Sequence, residues 1–149
     1  KPGGLMKVAL YSEVARTQVV AARQAIEASR LSSSRLDVLR FRAEVLASSN
    51  PLFTDVVKWN DFFSTSELRD LLFHTQEHRF SLPRISECLN LLELSFVGFE
   101  FPDEGLNRRF AASHPVRGAR YNLDKWHEFE MNNPDTFIGM YQLWLQNAK

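Results

Sequence analysis

The feature that most constrains the fold is an apolar run over residues 5–11, interrupted only by Lys7 and preceded by a Pro2-Gly3-Gly4 turn. Its length and its Val8 predict a β-strand, and its nearly continuous apolar character predicts burial on both faces, as in a parallel sheet. Such a strand needs a neighbouring strand on each side and helices above and below. The chain is therefore expected to be an α/β protein.

Two other segments have strand composition, and helices account for most of the rest. Residues 94–101 and 136–146 are rich in aromatic and β-branched side chains, which favour strands. Helical periodicity predicts the main helices over 14–30, 34–47, 65–74, 83–94 and 123–132, and Ser34, Ser64 and Asn122 are expected to be the N-caps of three of them. Three strands are few for a sheet whose first strand is buried on both faces. We therefore expect the sequence to be the carboxyl-terminal part of a larger sheet.

Composition excludes several classes of partner. Eighteen basic and eighteen acidic residues cancel, so the chain lacks the positive charge that nucleic acids and acidic membranes attract. No apolar run approaches the roughly 20 residues of a membrane span. A single cysteine, Cys88, cannot form an internal disulfide, which is typical of a reducing compartment. We expect a soluble, cytoplasmic protein that binds neither nucleic acid nor membrane.

Several motifs resemble one known family. Lys1-Pro2-Gly3-Gly4 followed by an apolar strand resembles the turn before the fifth strand of class I, Rossmann-like, S-adenosylmethionine-dependent methyltransferases. Residues 74–101 resemble the next helix and sixth strand of that family. Residues 136–146 resemble its seventh strand, which runs antiparallel between the fifth and sixth. Longer strings are similar to bacterial methyltransferases often fused to tetratricopeptide repeats: MK (6–7), LYSE (10–13), DLLFH (70–74), QEHRF (76–80), NPDTF (133–137) and GMYQ (139–142).

The resemblance implies a fold and indicates which part of the protein binds the cofactor and which part binds the methyl acceptor. It implies that residues 1–149 are one segment, the C-terminal part of a Rossmann-like methyltransferase sheet of three strands, the last antiparallel, with a large helical insertion. The family binds its cofactor through a glycine-rich turn, and no G-x-G-x-G occurs here. S-adenosylmethionine is thus expected to bind a missing N-terminal methyltransferase half, with tetratricopeptide repeats as a further partner in the parent chain. This segment would recognise a methyl acceptor, whose identity stays open.

Topology assigns the candidate substrate-binding residues. Open α/β sheets bind ligands at the carboxyl ends of their parallel strands, so Tyr11 and Glu13 are expected at that edge. Two long excursions, 12–82 and 102–135, leave the same edge, and we expect them to cover one cleft. Trp59 and Arg79 in the first excursion complete the substrate-binding candidates. Packing is the alternative explanation of Tyr11 and Trp59, and a position near a helix N-terminus is the alternative explanation of Glu13.

The string His74-Thr75-Gln76-Glu77-His78 allows three interpretations. On a helix, the two imidazoles at i and i+4 can bind zinc with the glutamate as base, but no third ligand is evident and no metal site is predicted. The same side chains can bond the backbone at a helix end. They can also line the acceptor pocket, where a histidine is suited to act as a general base. On this last interpretation, His74, His78 and Glu77 are the catalytic candidates.

A second function class stays open beside the enzyme. The chain is alternatively a non-catalytic helical interaction or regulatory domain. Such a domain would dock a partner or a repeat array. Binding of S-adenosylmethionine by the complete protein discriminates between the two classes.

Overall fold

A computed structural model describes residues 3–50, 53, 56–73, 77–102 and 104–147. The chain divides into two units by its internal contacts. The sheet unit comprises the described residues of Lys1–Ala15 and His78–Lys149, and the helical unit comprises those of Arg16–Glu77. Each unit has its own hydrophobic core.

The sheet unit contains a mixed sheet of four strands among the described residues. In chain order these are β1 (Leu5–Ser12), β2 (Arg79–Phe80), β3 (Leu94–Phe99) and β4 (Tyr141–Asn147), and their spatial order is β2-β1-β4-β3. β4 is antiparallel to both of its neighbours, β1 and β3. β2 pairs in parallel with the carboxyl end of β1. β1 and β3 therefore run in the same direction and end at the same edge of the sheet.

Six α-helices are present in the described ranges. The helical unit contains α1 (Thr17–Ala28), α2 (Arg35–Ala47) and α3 (Thr65–Leu72), and the sheet unit contains α4 (Leu82–Leu91), α5 (Glu104–Ser113) and α6 (Leu123–Asn132). Short 3-10 helices cover Val56–Lys58, Asn60–Phe63, Ala119–Tyr121 and Pro134–Phe137. The α/β class predicted from the sequence is thus confirmed.

The predicted N-caps are confirmed at three helices. The Ser34 hydroxyl accepts a hydrogen bond from the Asp37 backbone N–H at 3.2 Å, and Ser64 does the same for Glu67 at 3.4 Å. The side-chain oxygen of Asn122 accepts from two backbone N–H groups, at 2.8 and 3.2 Å. Each cap satisfies amide donors that have no partner within the helix, so the caps fix where α2, α3 and α6 begin.

The helical unit buries one apolar stripe from each of its α-helices. Helical spacing puts these residues on one face of each helix. The buried residues are Val19, Ala22 and Ile26 of α1, Val38, Phe41 and Val45 of α2, and Leu68, Leu71 and Leu72 of α3. Val56 and Phe62 from the 3-10 segments complete this core.

The sheet unit buries one face of its sheet. Tyr141, Leu143 and Leu145 of β4 are buried and alternate with exposed residues, the pattern of a sheet with one covered face. The buried residues join the apolar stripes of α4 and α6 in one cluster. On the exposed face, Lys7 forms an ion pair with Glu100, whose carboxylate also accepts from the Trp144 indole.

The prediction that β1 is buried on both faces was wrong. The side chains of Leu5 and Met6 are 63% and 45% exposed, and only Ser12 of this strand is buried. β4 pairs with one edge of β1 along its length, whereas β2 pairs with the other edge only at Tyr11 and Ser12. The apolar run identified the strand correctly, but no described strand flanks its second edge over 5–10.

The predicted number of strands and the predicted start of the last strand were also wrong. The fourth strand, β2, has two residues and lies in a segment whose polar composition gives no strand signal. β4 begins at Tyr141 rather than at 136, because Pro134–Phe137 forms a 3-10 helix. The Thr136 hydroxyl donates to the Asn133 carbonyl at 2.6 Å and holds this turn.

Candidate functional site

Four of the seven predicted site residues lie together at the carboxyl end of β1. Tyr11 is the register partner of Arg79 in the parallel β1–β2 pair. The Glu13 backbone N–H donates to the Phe80 carbonyl at 2.9 Å. His78 directly precedes β2, so it stands at the same place. Tyr11 and Arg79 are half-buried, and Glu13 and His78 are exposed, which leaves the latter two accessible to a ligand.

A buried polar network lies directly behind this edge. The Ser12 hydroxyl donates to Glu130 at 2.5 Å, and the Tyr141 hydroxyl donates to both carboxylate oxygens at 2.8 and 2.9 Å. Ser12 in turn accepts from the Ala15 backbone N–H at 3.0 Å. Three elements, β1, α6 and β4, therefore meet at one carboxylate. The network fixes the end of β1 where Tyr11 and Glu13 flank Ser12.

The environment of Glu130 perturbs its titration. Its side chain is fully buried, and burial raises the pKa of this carboxyl group above its ordinary value. The hydrogen bonds from Ser12 and Tyr141 and the nearby His127 oppose that shift. Burial, followed by the charge of Glu130, raises the pKa of the Tyr141 hydroxyl. Tyr141 thus remains a neutral hydrogen-bond donor across the physiological range of pH.

Sequence reasoning did not identify this network. Glu130 follows Trp126 by four residues and Phe129 by one, so it falls on the apolar stripe of α6. A carboxylate on a buried stripe needs donors, and that signal was available in the sequence. Its partner Ser12 was not, because 118 positions separate Ser12 from Glu130.

Glu77 and Trp59 belong to the helical unit. The Glu77 carboxylate is only 6% exposed and lies between two guanidinium groups, 3.0 Å from Nη2 of Arg23 and 3.6 Å from Nε of Arg16. Arg23 also donates to the Leu71 carbonyl at 2.7 Å. The Arg16 guanidinium lies 5.8 Å from the centre of the Trp59 ring. These contacts give Glu77 and Trp59 a packing role, and their catalytic and substrate-binding roles stay predictions.

His74 lies outside the described residues, and so do Thr75 and Gln76. The zinc interpretation of the H-x-x-E-H string therefore has one of its two imidazoles outside the described ranges. Within those ranges, no group of three or more His, Cys, Asp or Glu side chains is placed to hold a metal ion. The candidate site thus rests on the residues at the end of β1.

Comparison with known proteins assigns no family. The sequence matches no protein-family model and no curated protein. None of the described helices combines the length and the apolar character that crossing a membrane requires. The function is therefore argued from the strand order and from the residues at the end of β1.

Proposed function

We propose that this chain is the part of an S-adenosylmethionine-dependent methyltransferase that recognises the methyl acceptor. The observation that carries the proposal is the strand order, in which β4 lies antiparallel between β1 and β3. The family resemblance implies this order for its last three strands. The order also brings the carboxyl ends of β1 and β3 to one sheet edge, where open α/β sheets bind ligands.

The exposed edge of β1 supports the same proposal. Over residues 5–10, β1 has no described partner on the side opposite β4, and Leu5 and Met6 are exposed beside that edge. An unpaired strand edge with apolar side chains is a template for a further strand. In the proposal, the N-terminal methyltransferase half supplies that strand, and tetratricopeptide repeats belong to the same longer protein.

The described strand ends lack the turn through which the family binds S-adenosylmethionine. In the described ranges β1 leads into Glu13 and β3 leads into Glu100, and neither is followed by a glycine-rich turn that could bind a nucleotide. The sequence also contains no G-x-G-x-G. We therefore assign cofactor binding to the N-terminal half and acceptor binding to this chain.

The residues at the end of β1 have distinct roles in the proposal. The Arg79 guanidinium binds an anionic or carbonyl group of the acceptor, because it presents a fixed charge with several donors. Tyr11 packs beside it, and the Glu13 carboxylate accepts from a donor group of the acceptor. His78 takes a proton from acceptors that must lose one. Because methyl transfer is an in-line displacement, fixing the position of the acceptor supplies much of the rate.

Calorimetry on the complete natural protein that contains this sequence tests the proposal. We expect S-adenosylmethionine and its demethylated product, S-adenosylhomocysteine, each to bind with one site per chain. A matched titration with adenosine, which lacks the amino-acid moiety, controls for nonspecific nucleoside binding. Absence of binding by both cofactor forms would contradict the enzyme assignment.

A second candidate function is a helical interaction domain. The observation that favours it is the helical unit, which has its own core and exposes the apolar side chains of Leu36, Leu46 and Phe63. Exposed apolar side chains mark interaction surfaces when they form one patch. A complete protein that binds neither cofactor form yet binds a partner through this unit would favour the interaction domain.

A further inference from the structure

An aromatic cavity in the sheet unit lies outside the candidate site. It has a volume of about 480 Å³ and is lined by β3, α5, the Ala119–Tyr121 turn and α6. This size is in the range of pockets that hold small molecules. None of the candidate residues at the end of β1 lines it, so the cavity needs its own explanation.

The floor of the cavity is a fixed aromatic surface. Phe110 and Trp126 are almost fully buried, and their rings stack with centroids 3.6 Å apart and an interplanar angle of 12°. Phe99 meets Trp126 edge-on with centroids 5.3 Å apart. The Trp126 indole donates to the Arg120 carbonyl at 2.9 Å. Because the indole N–H of Trp126 already has a hydrogen-bond partner, this aromatic floor favours contact with a flat, apolar ring.

Gly98 keeps the strand side of the cavity open. It lies at an irregularity in the β3–β4 pairing and has a φ of 154°, which side chains rarely adopt. A Cβ placed there would have no heavy atom within 4 Å. The β3 backbone therefore borders free space instead of a packed side chain.

The rim of the cavity carries a net positive charge. Arg108, Arg120 and Glu104 line it, and both arginines are exposed. Within the ranges that the structure describes, neither arginine forms an ion pair with a carboxylate. The Arg120 guanidinium lies 4.5 Å from the centre of the Tyr121 ring and donates to its hydroxyl group, which orients it. Two guanidinium groups above an aromatic floor disfavour a cationic ligand and favour an anionic one.

We propose that this cavity binds a planar aromatic molecule that carries an anionic group. The ring of the ligand packs on the half-buried Phe99 and the exposed Tyr121, which the buried Phe110–Trp126 pair supports from below, and its carboxylate or similar group binds Arg108 and Arg120. A cavity of this volume accommodates one or two fused rings. The site is separate from the proposed methyl-acceptor site and does not depend on methyl transfer.

Three small probes test the chemistry of the site. Calorimetry and saturation-transfer NMR on the complete natural protein measure binding of 2-naphthoate, of neutral 2-naphthamide and of adamantane-1-carboxylate, an anion without a flat ring. We expect 2-naphthoate to bind about tenfold more tightly than either of the others. It alone has both a flat ring for the aromatic floor and an anionic group for the arginines of the rim. Equal affinity for the three probes, or no saturable binding of 2-naphthoate at millimolar concentration, would overturn the proposal.

Matched variants locate the binding. Arg108→Gln and Arg120→Gln are each expected to weaken 2-naphthoate binding by roughly fivefold to tenfold. The control is Arg109→Gln, which changes an exposed arginine that does not line the cavity. Ala111→Trp fills the cavity from α5 and is expected to abolish binding. Ala112→Trp, also at an exposed position of α5 but outside the lining, is expected to leave it unchanged.

Circular dichroism and melting temperature establish that each variant is folded before binding is compared. If Ala111→Trp fails to fold, the arginine variants decide, because they change only exposed side chains. Binding that survives in folded Ala111→Trp, or that falls equally in Arg109→Gln and Arg108→Gln, would refute the location.

Discussion

The two units each bury one glutamate, and they stabilise it in opposite ways. In the helical unit, Glu77 lies between the guanidinium groups of Arg16 and Arg23. In the sheet unit, Glu130 accepts hydrogen bonds from the neutral hydroxyls of Ser12 and Tyr141. Two guanidinium groups contact the first carboxylate, whereas the second contacts hydroxyl groups instead, and burial raises the pKa of Glu130. The same residue type is thus paired with guanidinium groups in one unit and held by hydroxyl groups in the other.

Removing the charge of Glu77 should have the largest effect. Glu77→Gln leaves two largely buried guanidinium groups without their carboxylate, and we expect it to lower the free energy of unfolding by about 3 kcal/mol. Urea unfolding followed by circular dichroism measures the change. Glu27→Gln, at an exposed position of α1, is the control and should change stability by less than about 0.5 kcal/mol. A loss in Glu77→Gln no larger than in the control would show that the ion pairs contribute nothing.

Removing one donor from Glu130 should have a smaller effect. Tyr141→Phe deletes the hydroxyl that bonds both carboxylate oxygens and should lower the free energy of unfolding by about 2 kcal/mol. The same urea experiment measures it, with Tyr121→Phe at an exposed position as the matched control. If the two Tyr→Phe variants were equally stable, the buried network would not support the sheet unit.

The pH dependence of stability tests the raised pKa of Glu130. Because the folded protein holds Glu130 with a raised pKa, it binds more protons than the unfolded chain above pH 4.5, the ordinary glutamate value. The stability contribution of Glu130 is therefore fully present below that pH and declines as pH rises through the folded pKa. We expect the stability of the natural protein, relative to Glu130→Gln, to fall as the pH rises above 4.5. A difference that rises with pH would reverse the assigned direction.

The helix caps provide the smallest comparison between the units. Asn122→Ala in the sheet unit and Ser34→Ala in the helical unit each remove one confirmed cap, and each should cost about 1 kcal/mol. Asn122 accepts two hydrogen bonds and Ser34 one, so the loss at Asn122 should be the larger. Urea unfolding of both variants measures the difference, and a larger loss for Ser34→Ala would contradict it.

The sequence allows local features to be predicted where they depend on neighbouring residues. Ser34, Ser64 and Asn122 were identified as caps because a cap bonds to an amide two or three residues away. The strands near 5–11 and 94–101 were found because their composition is locally apolar and aromatic. The same local composition misplaced the start of β4, because it does not reveal the 3-10 turn over Pro134–Phe137 that the Thr136 hydroxyl stabilises.

Features that depend on distant residues could not be predicted. β2 forms only because Arg79 and Phe80 pair with Tyr11 and Ser12, which precede them by 68 positions in the sequence. The Ser12–Glu130–Tyr141 network likewise depends on a contact between Ser12 and Glu130, which are 118 positions apart. For the candidate site, topology placed Tyr11 and Glu13 correctly at the carboxyl end of β1. The roles of these residues, and those of Arg79 and His78 beside them, stay predictions.

Methyl transfer by an Arg79→Gln variant of the complete natural protein tests most directly whether this chain recognises the acceptor. The assay measures transfer of labelled methyl groups from S-adenosylmethionine into an extract of the source organism, with calorimetry of cofactor binding in parallel and Arg109→Gln as the control. We expect Arg79→Gln to lower transfer by about tenfold or more, the equivalent of one charge-assisted hydrogen bond, and to leave cofactor affinity unchanged. Unchanged transfer in Arg79→Gln, or a matching loss of cofactor affinity, would contradict it.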